Sequence, residues 1–431
     1  MMLVLCAAIV LFAPRRYALW GFLLLLCFVT TRQAVAIGGF NFYFPRIMVL
    51  IVGPLRGLIR NEWNSVRWNR MDVLVICFGT WYLVAGALNW NLNPAVLKER
   101  TGYIAELMGT YFLCRLLLRD VQDVKAAILG LATLAVPVLC LFLIERATAR
   151  NLFAVFGGVS EVTPIRGDRL RCQGAFGHPI IAGVFWATML PMIVAGVVAK
   201  WERSKRYLAG AIAAVGLVVL CASSTPVMGL AAGLGGWCLY RWRRHARHAF
   251  VALGLTTTAL HLVMRAPVWS LIQRINITNG NSGYHRYLLV DGFIRHVHEW
   301  WLVGSGVGTA HWGHFTFDTA NGFVAIGISA GLGALILFVA IIAEAFFAAG
   351  RIQKSDPALG WGVGVSIGVL CVCFLGISIW GHMHFAWAFP IAVASSLGLG
   401  APQPTAAAVA RTAEVSPQYK RLAPCMSDRS I

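Results

Sequence analysis

Long uninterrupted apolar runs constrain this chain more than any other feature. Around residues 72–90, 123–144, 179–199 and 319–347 the sequence stays apolar over lengths that suit a membrane-crossing helix. A bilayer core of about 30 Å asks a helix for roughly 20 such residues. A membrane β-barrel would instead alternate apolar and polar positions. The remaining candidate spans are 2–13, 17–31, 40–56, 103–119, 207–223, 226–240, 249–264, 359–378 and 383–400. The first is short and the third contains Arg46, so 12–13 transmembrane helices are expected. The fold class is an all-α polytopic membrane protein, with one membrane domain over residues 1–400. A composition of 58% hydrophobic residues agrees with that class.

Charge sets the orientation. A net charge of +19 would suggest nucleic acid in a soluble protein. Here the cations sit in short connections at the span ends, as the positive-inside rule requires, so no nucleic acid partner is expected. Arg56–Arg70, Arg115–Lys125, Lys200–Arg206, Arg241–Arg247 and Arg351–Lys354 fall on one side when the spans alternate. That side is read as the cytoplasm. The tail at 401–431, rich in Ala, Pro and polar residues, is expected to be cytoplasmic and disordered. The opening MMLVLCAAIVLFAPRR has no basic segment ahead of its apolar run, so it reads as a first span rather than a cleaved signal.

Two longer loops, 145–178 and 265–318, fall on the opposite, external side. Its cations are Arg32, Arg146, Arg150, Arg166, Arg169, Arg171, Arg265, Arg274, Arg286 and Arg295, with Lys98 and Arg100. The arginine fork matches phosphate oxygens; a general preference for arginine along the chain is the plainer explanation. Histidines gather there as well: His178, His285, His296, His298, His311, His314, His382 and His384. No cysteine or carboxylate cluster completes a metal-ligand set at a recognisable spacing. The eleven cysteines lie mostly inside spans and form no CxxC pair. Neither a metal nor a cofactor is expected.

Three stretches of the external side could carry chemistry. Arg169-Leu-Arg171-Cys-Gln-Gly174-Ala-Phe-Gly177-His178-Pro179 precedes a span. It would set Arg171 and His178 beside a helix N-terminus, where an anion is favoured. From Tyr284 to Trp301, apolar residues recur at Tyr287, Val290, Phe293, Ile294, Val297 and Trp301, which predicts an amphipathic helix on the membrane surface. Arg286 falls in line with its buried stripe, whereas Arg295 points away. The third stretch runs from the tight connection Gly304-Ser-Gly306-Val-Gly308 through His311, His314 and Asp318. A His or carboxylate here is a candidate general base, although Asp318 or Thr319 is equally a helix cap. Asn321 follows in the first turn, and Gly327 with Gly331 predicts close helix packing. Few charges are expected inside the spans beyond Arg46 and Glu344.

In this order and on this side, these pieces resemble the O-antigen ligase and polymerase superfamily of bacterial inner-membrane proteins. The likeness rests on Arg171-x-x-Gly174-x-Phe176-x-His178-Pro179, Arg286, the Gly304–Gly308 turn and Asp318-Thr-Ala-Asn321-Gly-Phe323…Gly331-Leu-Gly333, within residues 165–345. It implies a metal-independent glycosyltransferase of GT-C-like architecture, acting at the periplasmic face on a polyprenyl-diphosphate-linked glycan. Arg171 and Arg286 would bind the diphosphate. His178, Arg169 and Asn321 would bind substrate, and His311, His314 and Asp318 are the candidate catalytic groups. Other polysaccharide assembly proteins would be partners, alongside the bilayer itself. Two departures matter. Ligases of this family commonly have a His-Asn pair where this chain has Ala320-Asn321, and often Ser-Arg where it has Ser223-Ser224-Thr225-Pro226. The first favours an exopolysaccharide or O-antigen polymerase over a ligase that transfers glycan to lipid A core. A lipid-linked oligosaccharide flippase is the alternative of a different class, and a non-catalytic scaffold a third.

Overall fold

Apolar residues in lipid have no water to bond their backbone, so each segment must close its own hydrogen bonds. The computed structural model obeys this almost everywhere by forming helices. It describes residues 1–30, 33–37, 40–89, 93–274, 282–313 and 319–398. The 401–431 tail, His314 and Asp318 lie outside the described residues.

The chain opens with α1 (Met2–Phe12) and α2 (Arg15–Phe28), which pack on each other, and a hairpin of β1 (Ala34–Ile37) and β2 (Phe40–Tyr43). A broken helical stretch follows, with α3 (Phe44–Ile47), a π-turn over Met48–Val52 and α4 (Gly53–Ile59). Part of the expected 40–56 span is therefore strand. Next come α5 (Arg70–Asn89), α6 (Pro94–Leu117) and α7 (Val121–Thr148). The 145–178 loop holds a second hairpin, β3 (Ile165–Arg166) with β4 (Arg169–Leu170). Then α8 (Pro179–Val198), α9 (Ser204–Leu220), α10 (Ser224–Cys238) and α11 (Ala246–Val263) lead to the second long loop, with α12 (Ser282–Arg295) and α13 (Val297–Trp300). The last three are α14 (Gly322–Ile352), α15 (Pro357–Cys373) and α16 (Met383–Leu397).

Four of these helices, α5, α7, α8 and α14, are long and apolar enough to cross a membrane; α1, α15, α16 and the Val251–Val263 part of α11 are shorter apolar helices. Helices α7 and α8 both pack on α9, α8 also meets α15, and α5 meets α14. At one end of the bundle, Arg15 bridges Asp120 and Asp123 at 2.8 Å each, and Lys125 reaches Asp356 at 3.4 Å. The starts of α8, α10, α14 and α16 gather at the opposite end.

Charges inside the apolar body are more numerous than expected. Buried Asp72 accepts from Arg115 Nε at 2.9 Å and from the Tyr111 hydroxyl at 2.6 Å. Arg46 meets Glu106 at 3.3 Å. Each cation faces a carboxylate, the condition under which lipid-level charge is tolerated. These partners lie too far apart in sequence to be paired by spacing.

Helix α14 is not continuous. Its backbone leaves helical geometry at Ala330 and at Gly331, where φ is +77°. Such a break strands backbone groups in an apolar setting, and here each finds a partner. Ile328 O accepts from Ser305 N at 2.7 Å, Ser329 O from Arg100 Nη1 at 2.6 Å, and Ala330 O from Trp81 Nε1 at 3.0 Å. Leu332 N donates to Trp301 O at 2.8 Å. The glycine connection at 304 is thus inserted into the broken helix. The close helix packing expected of Gly327 and Gly331 holds at Gly327, against α12 and α13, and is corrected at Gly331. Gly327 receives the Phe293 and Trp300 rings, while Gly331 lies against the backbone of Leu302 and Val303.

The amphipathic stripe needs a similar correction. The helix breaks at His296, so Val297 and Trp301 are exposed. Phe293 is buried as expected, together with Leu289 and Trp300, against Val324 and Ile328 of α14. Phe293 and Trp300 stack with centroids 3.9 Å apart, and Trp300 Nε1 donates to Phe293 O at 2.8 Å.

Two glycines make a controlled comparison. A β-carbon at Gly331 would collide with Leu302 O at a left-handed φ, whereas one at Gly235 meets nothing within 4 Å. Gly331→Ala is expected to cost about 2 kcal/mol or more. Gly235→Ala should be neutral or slightly stabilising. Thermal unfolding of the purified protein in detergent checks both.

Candidate functional site

The first candidate stretch is fixed by a carboxylate at the end of α7. Glu145 is buried, and its oxygens accept from Gln173 N at 3.2 Å, Gly174 N at 2.9 Å and Thr163 Oγ1 at 3.3 Å. Asn151 Nδ2 donates to Gly174 O at 2.8 Å, Arg171 N to Pro164 O at 2.9 Å and Cys172 N to Leu220 O at 3.1 Å. Gly174 has φ +57°, and a β-carbon there would run into the Phe142 ring. The loop is therefore held from several sides before any ligand arrives.

Held this way, the Arg171 side chain is buried, 7% exposed, and its Nη2 donates to Ser223 Oγ at 3.1 Å. Its Nε has no hydrogen-bond partner. From α12, Arg286 reaches the same turn. Its Nη2 donates to Thr225 Oγ1 at 2.7 Å and more weakly to Ser224 Oγ at 3.4 Å, and its Nη1 contacts Met228 Sδ at 3.8 Å. Gly376 makes room for it, since a β-carbon there would stand 2.8 Å from Arg286 Nε and Nη2. The two arginines of the sequence reading thus converge on three consecutive residues, Ser223, Ser224 and Thr225. Those residues belong to the segment where the chain departs from the family pattern.

This turn is also the N-terminus of α10, whose cap residue Ser223 makes no side-chain cap bond. A helix N-terminus carries partial positive charge and free N–H groups. Two guanidinium groups stand at that end. Among the described residues no carboxylate forms an ion pair with Arg171, Arg286, Arg166 or Arg169. Burial pushes the Arg171 guanidinium below its ordinary value, and the charge of Arg166 pushes it further. Arg286 moves the same way, first through burial, with a smaller push from Arg166. Arginine nonetheless stays protonated in proteins. An anion with several oxygens would relieve all of these terms together.

The other candidates are placed differently. Arg169 sits opposite Arg166 across the tight hairpin and is exposed. The turn residues Gly167 and Asp168 both have positive φ, +53° and +58°, as a two-residue type I′ turn needs. His178 caps α8, its Nδ1 accepting from Ile180 N at 3.1 Å, which puts the proton of the neutral ring on Nε2. Asn321 caps α14, its Oδ1 accepting from Phe323 N at 3.0 Å and Val324 N at 3.1 Å. It stays close to the arginine turn, because Gly322 N donates to Phe374 O at 2.8 Å, two residues before Gly376.

His311 is not brought to the arginines. Its Nε2 lies 2.7 Å from Glu299 Oε2, which also accepts from Trp312 Nε1 at 2.9 Å, and Trp312 stacks on His296 at 5.1 Å. The Trp312 bond, helped by His311, holds the Glu299 carboxyl below its usual range. His296 follows α12 directly, so this cluster lies about 14 Å along the helix axis from Arg286.

Sequence reasoning missed Glu145, the three hydroxyls and Gly376. Glu145 had one available signal: it is a carboxylate at the end of a long apolar run, just ahead of an arginine-rich loop. Glu145→Ala strands the buried N–H groups of Gln173 and Gly174, each costing about 1–3 kcal/mol. The expected outcome is a lower melting temperature together with faster proteolysis between 160 and 178, read by limited digestion. No protein-family model matches the chain, and no curated protein is significantly similar to it.

Proposed function

We propose that this protein is a polysaccharide polymerase of the bacterial inner membrane, joining polyprenyl-diphosphate-linked repeat units at the periplasmic face. The supporting observation is the convergence of Arg171 and Arg286 on the α10 N-terminus with no carboxylate partner among the described residues. In this reading the four shorter apolar helices cross the bilayer as well, and so do α2, α6, α9 and α10, giving twelve spans of a GT-C-like architecture. An acceptor sugar hydroxyl attacks the anomeric carbon of the donor. The bond from that carbon to the diphosphate oxygen breaks, and the diphosphate leaves with the electron pair. Cations fixed beforehand at the leaving group stabilise the charge that develops there. The hydroxyl proton passes to a base. His311 is poorly placed for this beside Arg286, which leaves His314 or Asp318 for that role.

A flippase is the second reading, and the broken α14 favours it, since discontinuous helices often frame transport sites. Deletion of the gene followed by sizing of surface glycan separates the two. Polymerase function predicts loss of long chains while single repeats still arrive outside. Repeats stranded on the cytoplasmic side would sink it in favour of the flippase.

Complementation then probes mechanism. Arg286→Lys keeps charge but loses the planar fork, and chain synthesis is expected to fall at least about tenfold, equivalent to roughly 1.4 kcal/mol. Gly376→Ala should reproduce that loss by displacing the Arg286 guanidinium. His311→Ala should leave chain length unchanged.

A further inference from the structure

A second polar centre lies near the arginine turn, on residues that the proposed diphosphate site does not use. A cavity of about 420 Å³ is lined by Arg46, Tyr103, Glu106, Trp380, His382 and His384, among others. That volume falls within the roughly 300–1,000 Å³ typical of small-molecule sites. Contacts link it to the first centre: the Trp380 ring is 6.4 Å from that of His178, and the His382 ring is 4.3 Å from that of Phe176.

Carboxylates face the arginine here, unlike at the arginine turn. Glu106 stands 3.3 Å from Arg46 Nη2 through one oxygen and 3.3 Å from His384 Nδ1 through the other. Beyond this ion-pair contact to Glu106, neither ring nitrogen of His384 has a hydrogen-bond partner among the described residues. Glu99 also lines the cavity. Two carboxylates beside one arginine disfavour a phosphate.

Hydrogen-bonding capacity is left over. His382 is 2% exposed and His384 6% exposed. His382 Nε2 lies 2.8 Å from the Leu26 carbonyl and so must donate, leaving Nδ1 as a lone-pair acceptor with no partner. Burial lowers the His382 pKa to about 4, so the ring is neutral near pH 7. Arg46 Nε is a buried donor, also without a partner. Unpaired buried polar groups are costly unless something fills them. Donors and acceptors side by side, aromatic faces from Tyr103 and Trp380, and no net positive charge fit an uncharged ring bearing several hydroxyls.

We propose that this cavity binds a neutral sugar ring of the glycan, at a site separate from the arginine turn. The sugar's membership of the transferred glycan rests on the polymerase reading; the binding itself does not. The test uses the full-length protein in lipid nanodiscs and saturation-transfer NMR. The probes are the methyl glycosides of glucose, galactose, mannose and N-acetylglucosamine, with glucuronate as the charged comparison.

At least one neutral glycoside should bind, and glucuronate should bind at least tenfold more weakly. Trp380→Ala, at a partly exposed ring, and His384→Ala should each weaken the neutral sugar at least tenfold while eluting as folded protein on size exclusion. Saturating pyrophosphate should leave the sugar signal in place. Absence of transfer from all four neutral glycosides overturns the proposal, as does binding that survives both substitutions. Displacement by pyrophosphate would merge the two centres and overturn it too. Because no diphosphate-linked substrate is present, these outcomes are independent of whether Arg171 and Arg286 hold one.

Discussion

The structure depends on one constraint above the rest: a backbone polar group that leaves helical geometry inside an apolar bundle must find a partner within the protein. The break in α14 illustrates its reach. Freeing the carbonyls of Ile328, Ser329 and Ala330 recruits Ser305 from the second long loop, Arg100 from α6 and Trp81 from α5. Three distant segments are thereby fixed to one point. The loop end at Trp301–Ser305 is held there, and α12 is braced through Phe293 and Trp300 on the helical half before the break. Arg286 sits near the start of that braced helix. Its position at the α10 N-terminus follows, at several removes, from a glycine that stops α14 being a helix.

The same constraint acts at the other arginine. The segment at 171–174 is not helical, and its N–H groups are buried, so a buried carboxylate answers them. Glu145 spends its charge on backbone donors and on Thr163, and no ion pair joins it to Arg171. Elsewhere in the bundle, cations are neutralised: Arg115 by Asp72, Arg46 by Glu106, Arg56 by Glu62. Arg171 and Arg286 instead converge on hydroxyls at a helix N-terminus, with no carboxylate partner among the described residues. Packing alone does not require a buried Arg171 beside a helix N-terminus, and an unmatched buried charge costs stability.

What the sequence disclosed follows from which signals are local. Apolar run length is local, and it located most of the helices. The inward aim of Arg286 was legible because helical periodicity places it on the face of α12 that turns toward the bundle. The kink in α14 was not legible, since Gly331 within an apolar run reads equally well as a helix-packing glycine. Its meaning depends on Leu302, whose proximity only the fold supplies. The same holds for Ser223, Ser224 and Thr225: three small hydroxylic residues at a helix start look like ordinary capping. The stripe at 284–301 held at Val290 and Phe293 but failed at its far end, because the helix ends before His296 and leaves Val297 and Trp301 at the surface.

The two polar centres on this end of the bundle differ in a way that bears on chemistry. Among the described residues, one gathers cations at a helix N-terminus with no carboxylate partner, and the other pairs its arginine and leaves hydrogen-bonding atoms open. A single anionic ligand would satisfy the first and be repelled by the second, while an uncharged polyol would suit only the second. A molecule with a diphosphate at one end and sugars at the other presents both chemistries in sequence. Ring contacts join the two centres, His178 to Trp380 and Phe176 to His382.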